Sequence, residues 1–202
     1  MTKTLNQTPD QTHVAPRPRC WWCGEDPLYV AYHDDEWGVP LHDDQRLFEL
    51  LVLEGFQAGL SWFTILRKRE NFRAAFHGFR AESMAGLKKR DLDRLFQDSG
   101  IVRNRLKIEA AVTNAQAFLA IHKTPGDFDR FIWQFTGHRT LLDPRGVKRG
   151  RVRATSPESD RMSKELVRRG FRFTGSTICY AFMQACGMVD DHVEGCWKYQ
   201  AR

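Results

Sequence analysis

The chain has 202 residues, 42% of them hydrophobic and 28% charged, with a formal net charge of +6 and a sequence pI of about 9.2. This length and composition allow one substantial core and predict a single domain. No run of 18 apolar residues and no apolar N-terminal segment occurs, which excludes a membrane span and a secretion signal and favours a cytoplasmic monomer. Five cysteines at unrelated spacings exclude a disulfide framework, and the moderate positive charge suits a polyanionic partner.

The N-terminal part of the chain changes character at Arg19. Residues 1–17 are polar and predict a disordered tail, so the domain is expected to cover residues 18–202. The next stretch, RCWWCGEDPLYVAYHDDEWGVP, contains three tryptophans, two tyrosines, two cysteines and one histidine. Its Pro and Gly residues predict a compact irregular layer with one helical turn at 28–33. Such a layer needs an internal brace.

Metal coordination could supply that brace. Cys20 and His33 lie in the aromatic stretch, and His192 and Cys196 form an H-x3-C pair near the other end of the chain. Two thiolates and two imidazoles complete a closed tetrahedral zinc site of the structural kind, with no position open for water. Cys23 forms a C-x-x-C pair with Cys20 and is an alternative to His33 as a ligand. Free thiols without zinc are the other interpretation.

The stretch from Arg46 to Arg69 is expected to organise the fold. Its first half predicts an interior helix, because apolar residues occupy nearly every side. Glu54 follows this run on the same buried face, where a carboxylate is costly unless something holds it. The helix should loosen at 55–59, and Ser61 is a suitable N-cap for a second helix that carries Trp62.

A buried acid beside a large indole predicts a pocket for a flat polar or cationic ring. Two simpler interpretations remain open at this point. Glu54 can accept backbone N–H bonds from the turn at 58–61, and Trp62 can be an ordinary core residue.

The segments 89–97 and 104–122 predict two helices joined by a short turn at Ser99-Gly100. Arg103, Arg105 and Lys107 cluster where the second helix begins, and backbone N–H groups and the helix dipole favour phosphate there. This pattern predicts a helix-hairpin-helix that binds the DNA backbone without reading sequence. The alternative is an ordinary helical hairpin with a solvated basic end.

The C-terminal half adds three helices, at residues 127–135, 160–169 and 177–186. Val167 is expected to face inward on the second of these helices, and Ser176 is expected to cap the third. The intervening segment 136–156 reads as a loop, and its five basic residues, Arg145, Lys148, Arg149, Arg151 and Arg153, can lie against phosphates or keep the loop solvated. Cys179 and Cys186 are predicted to pack in the last helix. Apart from FRF at 171–173 no strand candidate is apparent, so the fold class is all-α.

From about Arg19 to Cys196 the chain closely resembles the bacterial 3-methyladenine DNA glycosylase I family. The resemblance is carried by DPLYVAYHDDEWGVP, LEGFQAGLSWFTILRKRENFRAAF, SGIVRNRLKIEAAVTNA and RGFRFTGSTICYAFMQACGMVDDHVEGC, in the family's order. It implies the helix-hairpin-helix glycosylase fold and a structural zinc. Cys23 and the N-terminal tail depart from the family pattern.

The resemblance also implies roles for individual residues. The zinc ligands would be Cys20, His33, His192 and Cys196. Glu54 would be the acid of the base pocket, with Tyr29, Tyr32 and Trp62 around it and Trp22 as a further aromatic residue of that region. Leu60 would lie at the DNA-facing turn, and Gly100, Arg103, Arg105 and Lys107 at the hairpin.

The implied activity is that of a monofunctional DNA repair enzyme. It would hydrolyse the N-glycosidic bond of 3-methyladenine in double-stranded DNA, release the free base and leave an abasic site. The flipped cationic base stacks well between electron-rich rings, and a carboxylate can bond its polar edge. The competing interpretation is a zinc-stapled DNA-binding module without catalysis. A zinc hydrolase is disfavoured, because four protein ligands leave no site for water.

Overall fold

The computed structural model describes residues 17–143, 146–150 and 152–199. The predicted tail, except for its last residue, and the basic residues Arg145 and Arg151 therefore lie outside the described residues. The described residues are mostly helical, as predicted. The helices are α1 (Pro27–Ala31), α2 (Asp44–Gln57), α3 (Trp62–Arg67), α4 (Arg69–Ala75), α5 (Ala81–Ala85), α6 (Lys89–Gln97), α7 (Arg105–Ile121), α8 (Asp127–Trp133), α9 (Pro157–Arg168) and α10 (Ser176–Ala185).

Helix α2 is the centre of the core. Leu47, Phe48 and Leu51 are completely buried on it, and it packs against α3, α7, α8 and α10. The predicted interior helix is thus confirmed, although it continues through Gly55 to Gln57 instead of loosening there. Ser61 caps α3 as predicted, because its hydroxyl accepts the N–H of Thr64 at 3.2 Å.

A second, smaller apolar cluster forms where the two ends of the described chain meet. It contains Cys20, Tyr32, Trp37, Leu66, Val147, Ala185, Val193 and Cys196. Leu50 and Trp62 pack against both this cluster and the main core. The N-terminal aromatic layer is therefore continuous with the rest of the fold.

The strand prediction was wrong in both directions. Two short strands, β1 (Leu141–Leu142) and β2 (Val189–Asp190), pair in parallel and join the loop after α8 to the segment after α10. The FRF segment is not a strand, since Phe173 adopts a left-handed backbone with φ of 55°. A two-residue strand has too few positions for alternation to show in the sequence.

Three further details differ from the sequence-based prediction. Helix α9 begins at Pro157, earlier than predicted, because Ser156 and Ser159 form a reciprocal cap. Val167, expected to face inward, is 58% exposed. Helix α10 begins at Ser176, so the cap is Gly175. Across the described residues no helix is both long enough and apolar enough to span a membrane.

Candidate active site

A cavity of about 280 Å³ lies between the aromatic layer, the end of α2 and the end of α10. This volume is sufficient to hold a single flat ring system. The lining residues are Trp21, Trp22, Tyr29, Tyr32, Trp37, Glu54, Gln57, Trp62, Val152, Ala181, Gln184, Asp191 and Val193. The structure thus brings together five residues that the sequence analysis assigned to a base pocket: Glu54, Trp62, Tyr29, Tyr32 and Trp22.

Glu54 is 3% exposed, and its carboxyl group has no hydrogen-bond partner among the described residues. The alternative in which the following turn supplies N–H donors is wrong: the Leu60 N–H donates instead to the carbonyl of Gln57, at 2.7 Å. Burial raises the pKa of Glu54 to about 8. Its place in the last turn of α2, at the negative end of the helix dipole, acts in the same direction.

Aromatic rings surround this acid. The centroids of Tyr32 and Trp62 are 5.4 Å apart in a tilted arrangement, and Trp22 lies 5.2 Å from Tyr29. Tyr29 stacks on Phe63 of α3 at 4.9 Å. The indole Nε1 of Trp62 is buried, and no described residue accepts a hydrogen bond from it, so this ring lines the cavity with a free donor. Electron-rich faces beside a carboxyl group suit a flat cation.

A short π-helix, Tyr32–Glu36, separates this cavity from the Cys/His group described next. The Trp37 N–H donates to the carbonyl of Tyr32 at 2.9 Å, five residues back, which widens the turn. Such turns are frequent at functional sites because they redirect neighbouring side chains. Here Tyr32 lines the cavity, whereas the next residue, His33, joins the Cys/His group.

The four predicted metal ligands meet. The ligand atoms of Cys20, His33, His192 and Cys196 all lie within 4.8 Å of one another, and all four residues are buried. The Cys196 Sγ lies 3.4 Å from His33 Nε2 and 3.7 Å from His192 Nδ1, and Cys20 Sγ lies 3.6 Å from His192 Nδ1. Bonds of about 2.0–2.3 Å in a tetrahedron place ligand atoms at about such separations, so the group fits a zinc ion.

The surroundings of this group also suit a metal. The His33 Nδ1–H donates to Asp34 Oδ1 at 2.7 Å, the outer contact that usually orients a ligating imidazole. Arg19 holds the pKa of the Asp34 carboxyl well below its usual range. Burial raises the pKa of the Cys20 thiol to about 12, so a cation is what would favour its thiolate. Cys23 lies outside the group; its thiol donates to the carbonyls of Cys20 and Gly24.

The predicted DNA-contacting residues divide between the surface and the interior. Leu60, Arg103 and Arg105 are exposed, and Arg105 lies over the Phe96 ring at 4.0 Å. Lys107 does not fit its predicted role, because it is 8% exposed and points inward. Its ammonium group donates to the carbonyls of Phe56 at 2.8 Å and Ala58 at 2.5 Å, at the end of α2.

The turn between α6 and α7 is held in place by a side chain from another part of the fold. The Lys68 ammonium group donates to the carbonyls of Ser99 at 2.9 Å and Gly100 at 3.1 Å. The Gly100 N–H donates to Asp98 at 2.8 Å, so it is not available to an outside acceptor. A Cβ at Gly100 would lie 2.9 Å from the Asp98 carboxylate and 3.2 Å from Asn71, which explains the glycine.

The sequence analysis missed several residues of the cavity. Gln57, Gln184, Asp191 and Val152 line it without having been predicted. The only available signal was the i, i+4 spacing of Tyr180 and Gln184, which puts both on the α10 face nearest Asp191.

Comparisons with known proteins agree on one family. The family model for methyladenine glycosylase matches residues 22–199. The chain is 49% identical to DNA-3-methyladenine glycosylase 1 of Escherichia coli over 181 residues, covering 90% of this chain and 96% of that protein. A crystal structure of 3-methyladenine DNA glycosylase I superposes with a TM-score of 0.87 at 47% identity, covering 90% of this chain and 100% of the other. The structure of a variant of 3-methyladenine DNA glycosylase I in complex with 3-methyladenine superposes with a TM-score of 0.83 at 35% identity, covering 91% of this chain and 99% of the other.

Replacing Lys107 tests its inward role. Lys107→Met should lower the free energy of unfolding by about 1–3 kcal/mol, because two carbonyls at the end of α2 lose a charged donor. Urea denaturation measures the change. Arg103→Met, at an exposed position of the same hairpin, should change stability by less than about 0.5 kcal/mol. Equal effects of the two substitutions would contradict the inward placement.

The raised pKa of Glu54 predicts a pH-dependent stability. The unfolded chain loses this proton near the ordinary pKa of 4.5, whereas the folded chain keeps it until about pH 8. The free energy of unfolding therefore falls as the pH rises through this window, by up to roughly 5 kcal/mol. The Glu54→Gln variant has no carboxyl to ionise and does not lose this stability. Its free energy of unfolding, measured by urea denaturation, should therefore rise relative to that of the unchanged protein between pH 5 and pH 9.

The exposed Glu82 provides the matched control. Glu82→Gln should shift stability by a small amount that does not grow over the same pH range. A pH-independent difference for Glu54→Gln would mean that the carboxyl is not desolvated in the folded protein.

Proposed function

The chain belongs to the methyladenine glycosylase family, and we infer that it is a DNA-3-methyladenine glycosylase, which excises alkylated adenine from DNA by hydrolysing the N-glycosidic bond. The observation that carries this inference is the partnerless carboxyl of Glu54 in an aromatic cavity. A buried polar group without a partner is costly, so its presence in a cavity calls for a functional explanation, and a bound ligand that supplies the missing contact is one.

The cavity supports recognition of a base that has left the DNA stack. An enzyme that cuts this bond in a duplex must turn the nucleotide out and hold the base in a pocket. A methylated adenine still attached to the sugar is cationic, so the rings of Tyr29, Tyr32, Trp22 and Trp62 bind it by stacking and by cation–π attraction. The arriving positive charge favours ionisation of Glu54, which then bonds the polar edge of the base.

We further propose that the enzyme is monofunctional and that Glu54 acts mainly by reading the base. A cationic base leaves as a neutral purine, so little further activation is required of the protein. Binding a charged, flat base more tightly than a neutral one is then the main source of selectivity. The pocket rings and the acid are the groups that provide this difference.

For DNA binding we propose the hairpin of α6 and α7, with Leu60 beside it. Arg103 and Arg105 are exposed at the start of α7 and can neutralise phosphates. The inward placement of Lys107 removes one cation from the predicted set. Lys107 and Lys68 instead fix the positions of the pocket turn and the hairpin turn.

We propose zinc as a structural cofactor held by Cys20, His33, His192 and Cys196. Zinc bound by four protein ligands stabilises the fold and has no position for a reacting water. The shared contacts of Leu50 and Trp62 support one glycosylase domain from residue 18 onward. The buried free thiols suit the reducing conditions of the cytoplasm.

Release of free base from methylated duplex DNA tests the function. The protein should release 3-methyladenine, which chromatography identifies, and leave abasic sites without strand cleavage. Glu54→Gln should lower the excision rate by about 10- to 100-fold, because a neutral amide replaces a charge-assisted hydrogen bond.

Two results would argue against this proposal. A DNA-binding module without catalysis would bind methylated duplex and release no base. Excision by Glu54→Gln at the unchanged rate would show that this acid does not recognise the base. Glu82→Gln, at an exposed position that does not line the cavity, is the matched control and should keep the full rate.

Metal analysis tests the ligand set. The purified protein should contain one zinc ion per chain. His33→Ala should lose the zinc and also lower the melting temperature, because the brace between the chain ends is removed. Cys23→Ser should retain zinc, since this thiol lies outside the group. Zinc retained by His33→Ala and lost by Cys23→Ser would reverse the assignment.

A further inference from the structure

Gln184 and Asp191 form a hydrogen-bonded pair on the cavity wall. The Gln184 Nε2 donates to Asp191 Oδ2 at 2.8 Å, and the Tyr180 hydroxyl donates to the same oxygen at 2.8 Å. Asp191 is 6% exposed. The pair lies on α10 and the segment after it, separate from the helix that carries Glu54.

The pair fixes which end of the Gln184 amide meets the carboxylate. A carboxylate only accepts hydrogen bonds, and the amide of glutamine has one donating and one accepting end. The NH2 group of Gln184 therefore faces Asp191. The amide oxygen is therefore directed away from Asp191, and among the described residues the Gln184 side chain has no hydrogen bond other than the one to Asp191.

We propose that Gln184 is a second base-reading residue whose amide oxygen accepts a hydrogen bond from the exocyclic amino group of the bound base, and that Asp191 is its positioning residue. This inference rests on the proposed glycosylase function and adds a basis for base specificity. An adenine carries an amino group, a donor, where a guanine carries a keto oxygen, an acceptor.

The orientation of Gln184 matters because a reversed amide would favour the other purine. With its oxygen towards the cavity, Gln184 leaves a guanine keto group facing an acceptor, so two groups remain unpaired. Sites that hydrogen-bond a substrate group reject analogues without it much more strongly than apolar sites do. Asp191 therefore acts on specificity through the orientation of Gln184.

The test compares release of 3-methyladenine and 3-methylguanine from the same methylated duplex DNA. Asp191→Asn allows the Gln184 amide to turn over, because an asparagine can both donate and accept. Its ratio of 3-methyladenine to 3-methylguanine release should fall by about tenfold or more. Gln184→Leu removes the acceptor and should lower 3-methyladenine release about tenfold, with the ratio reduced as well.

Tyr180→Phe is the matched control. It removes the other donor to Asp191 but leaves the carboxylate, so the amide orientation and the release ratio should not change. Zinc content is measured for each variant, because Asp191 adjoins His192. An unchanged ratio in Gln184→Leu overturns the inference, even where Asp191→Asn does not fold.

The outcomes separate this inference from the function on which it rests. Failure of the unchanged protein to release either base contradicts the glycosylase function itself. Release of 3-methyladenine by the unchanged protein, with equal losses for both bases in Gln184→Leu, leaves the function in place and assigns Gln184 a structural role only.

Discussion

The burial of one carboxyl group without a partner is the constraint on which the rest of the site depends. Glu54 stands in the last turn of α2, where it is shielded from solvent, no described residue donates a hydrogen bond to it, and the helix dipole is unfavourable for a negative charge. Helix α2 tolerates this cost because its apolar side chains, among them Leu47, Phe48 and Leu51, are fully buried in the core. Burial of the Glu54 carboxyl lowers the stability of the free protein, and a bound cationic ring would offset this cost. The same residue therefore lowers stability and favours recognition.

A buried lysine connects this site to the hairpin of α6 and α7. Lys107 is a residue of the hairpin helix α7, and its ammonium group donates to the carbonyls of Phe56 and Ala58, which follow Glu54 at the end of α2. A positive charge at the end of α2 also compensates its dipole. Since Lys68 ties the hairpin turn to the segment after α3, two ammonium groups hold the pocket turn and the hairpin in one geometry. If the hairpin binds the DNA backbone as we propose, a base that leaves the duplex meets the pocket at a fixed distance from that backbone.

The sequence predicts what depends on local periodicity and caps. The helices at 89–97 and after Asn104, and the Ser61 cap, follow from repeating apolar positions and side-chain acceptors. The predicted roles of Glu54 and the four metal ligands came largely from the family resemblance, and the structure adds their proximity. Lys107 was misread because charge alone does not reveal direction. Gln184 and Asp191 were missed because their pairing depends on how the segment after α10 returns to the cavity.

The Cys/His group joins the two ends of the described chain, and its two histidines also pack against aromatic rings that line the pocket. Trp37 packs edge-on to His192 at 4.7 Å, and Trp22 lies 5.3 Å from His33, while both indoles line the cavity. Gly38 permits this closeness, because a Cβ there would come within 2.9 Å of His192 Nε2. Any cation that fixes the two imidazoles therefore fixes two rings of the pocket. Rigid rings bind a flat base at lower entropic cost than mobile ones, so the proposed zinc would favour recognition although its four protein ligands leave no position for a reacting water.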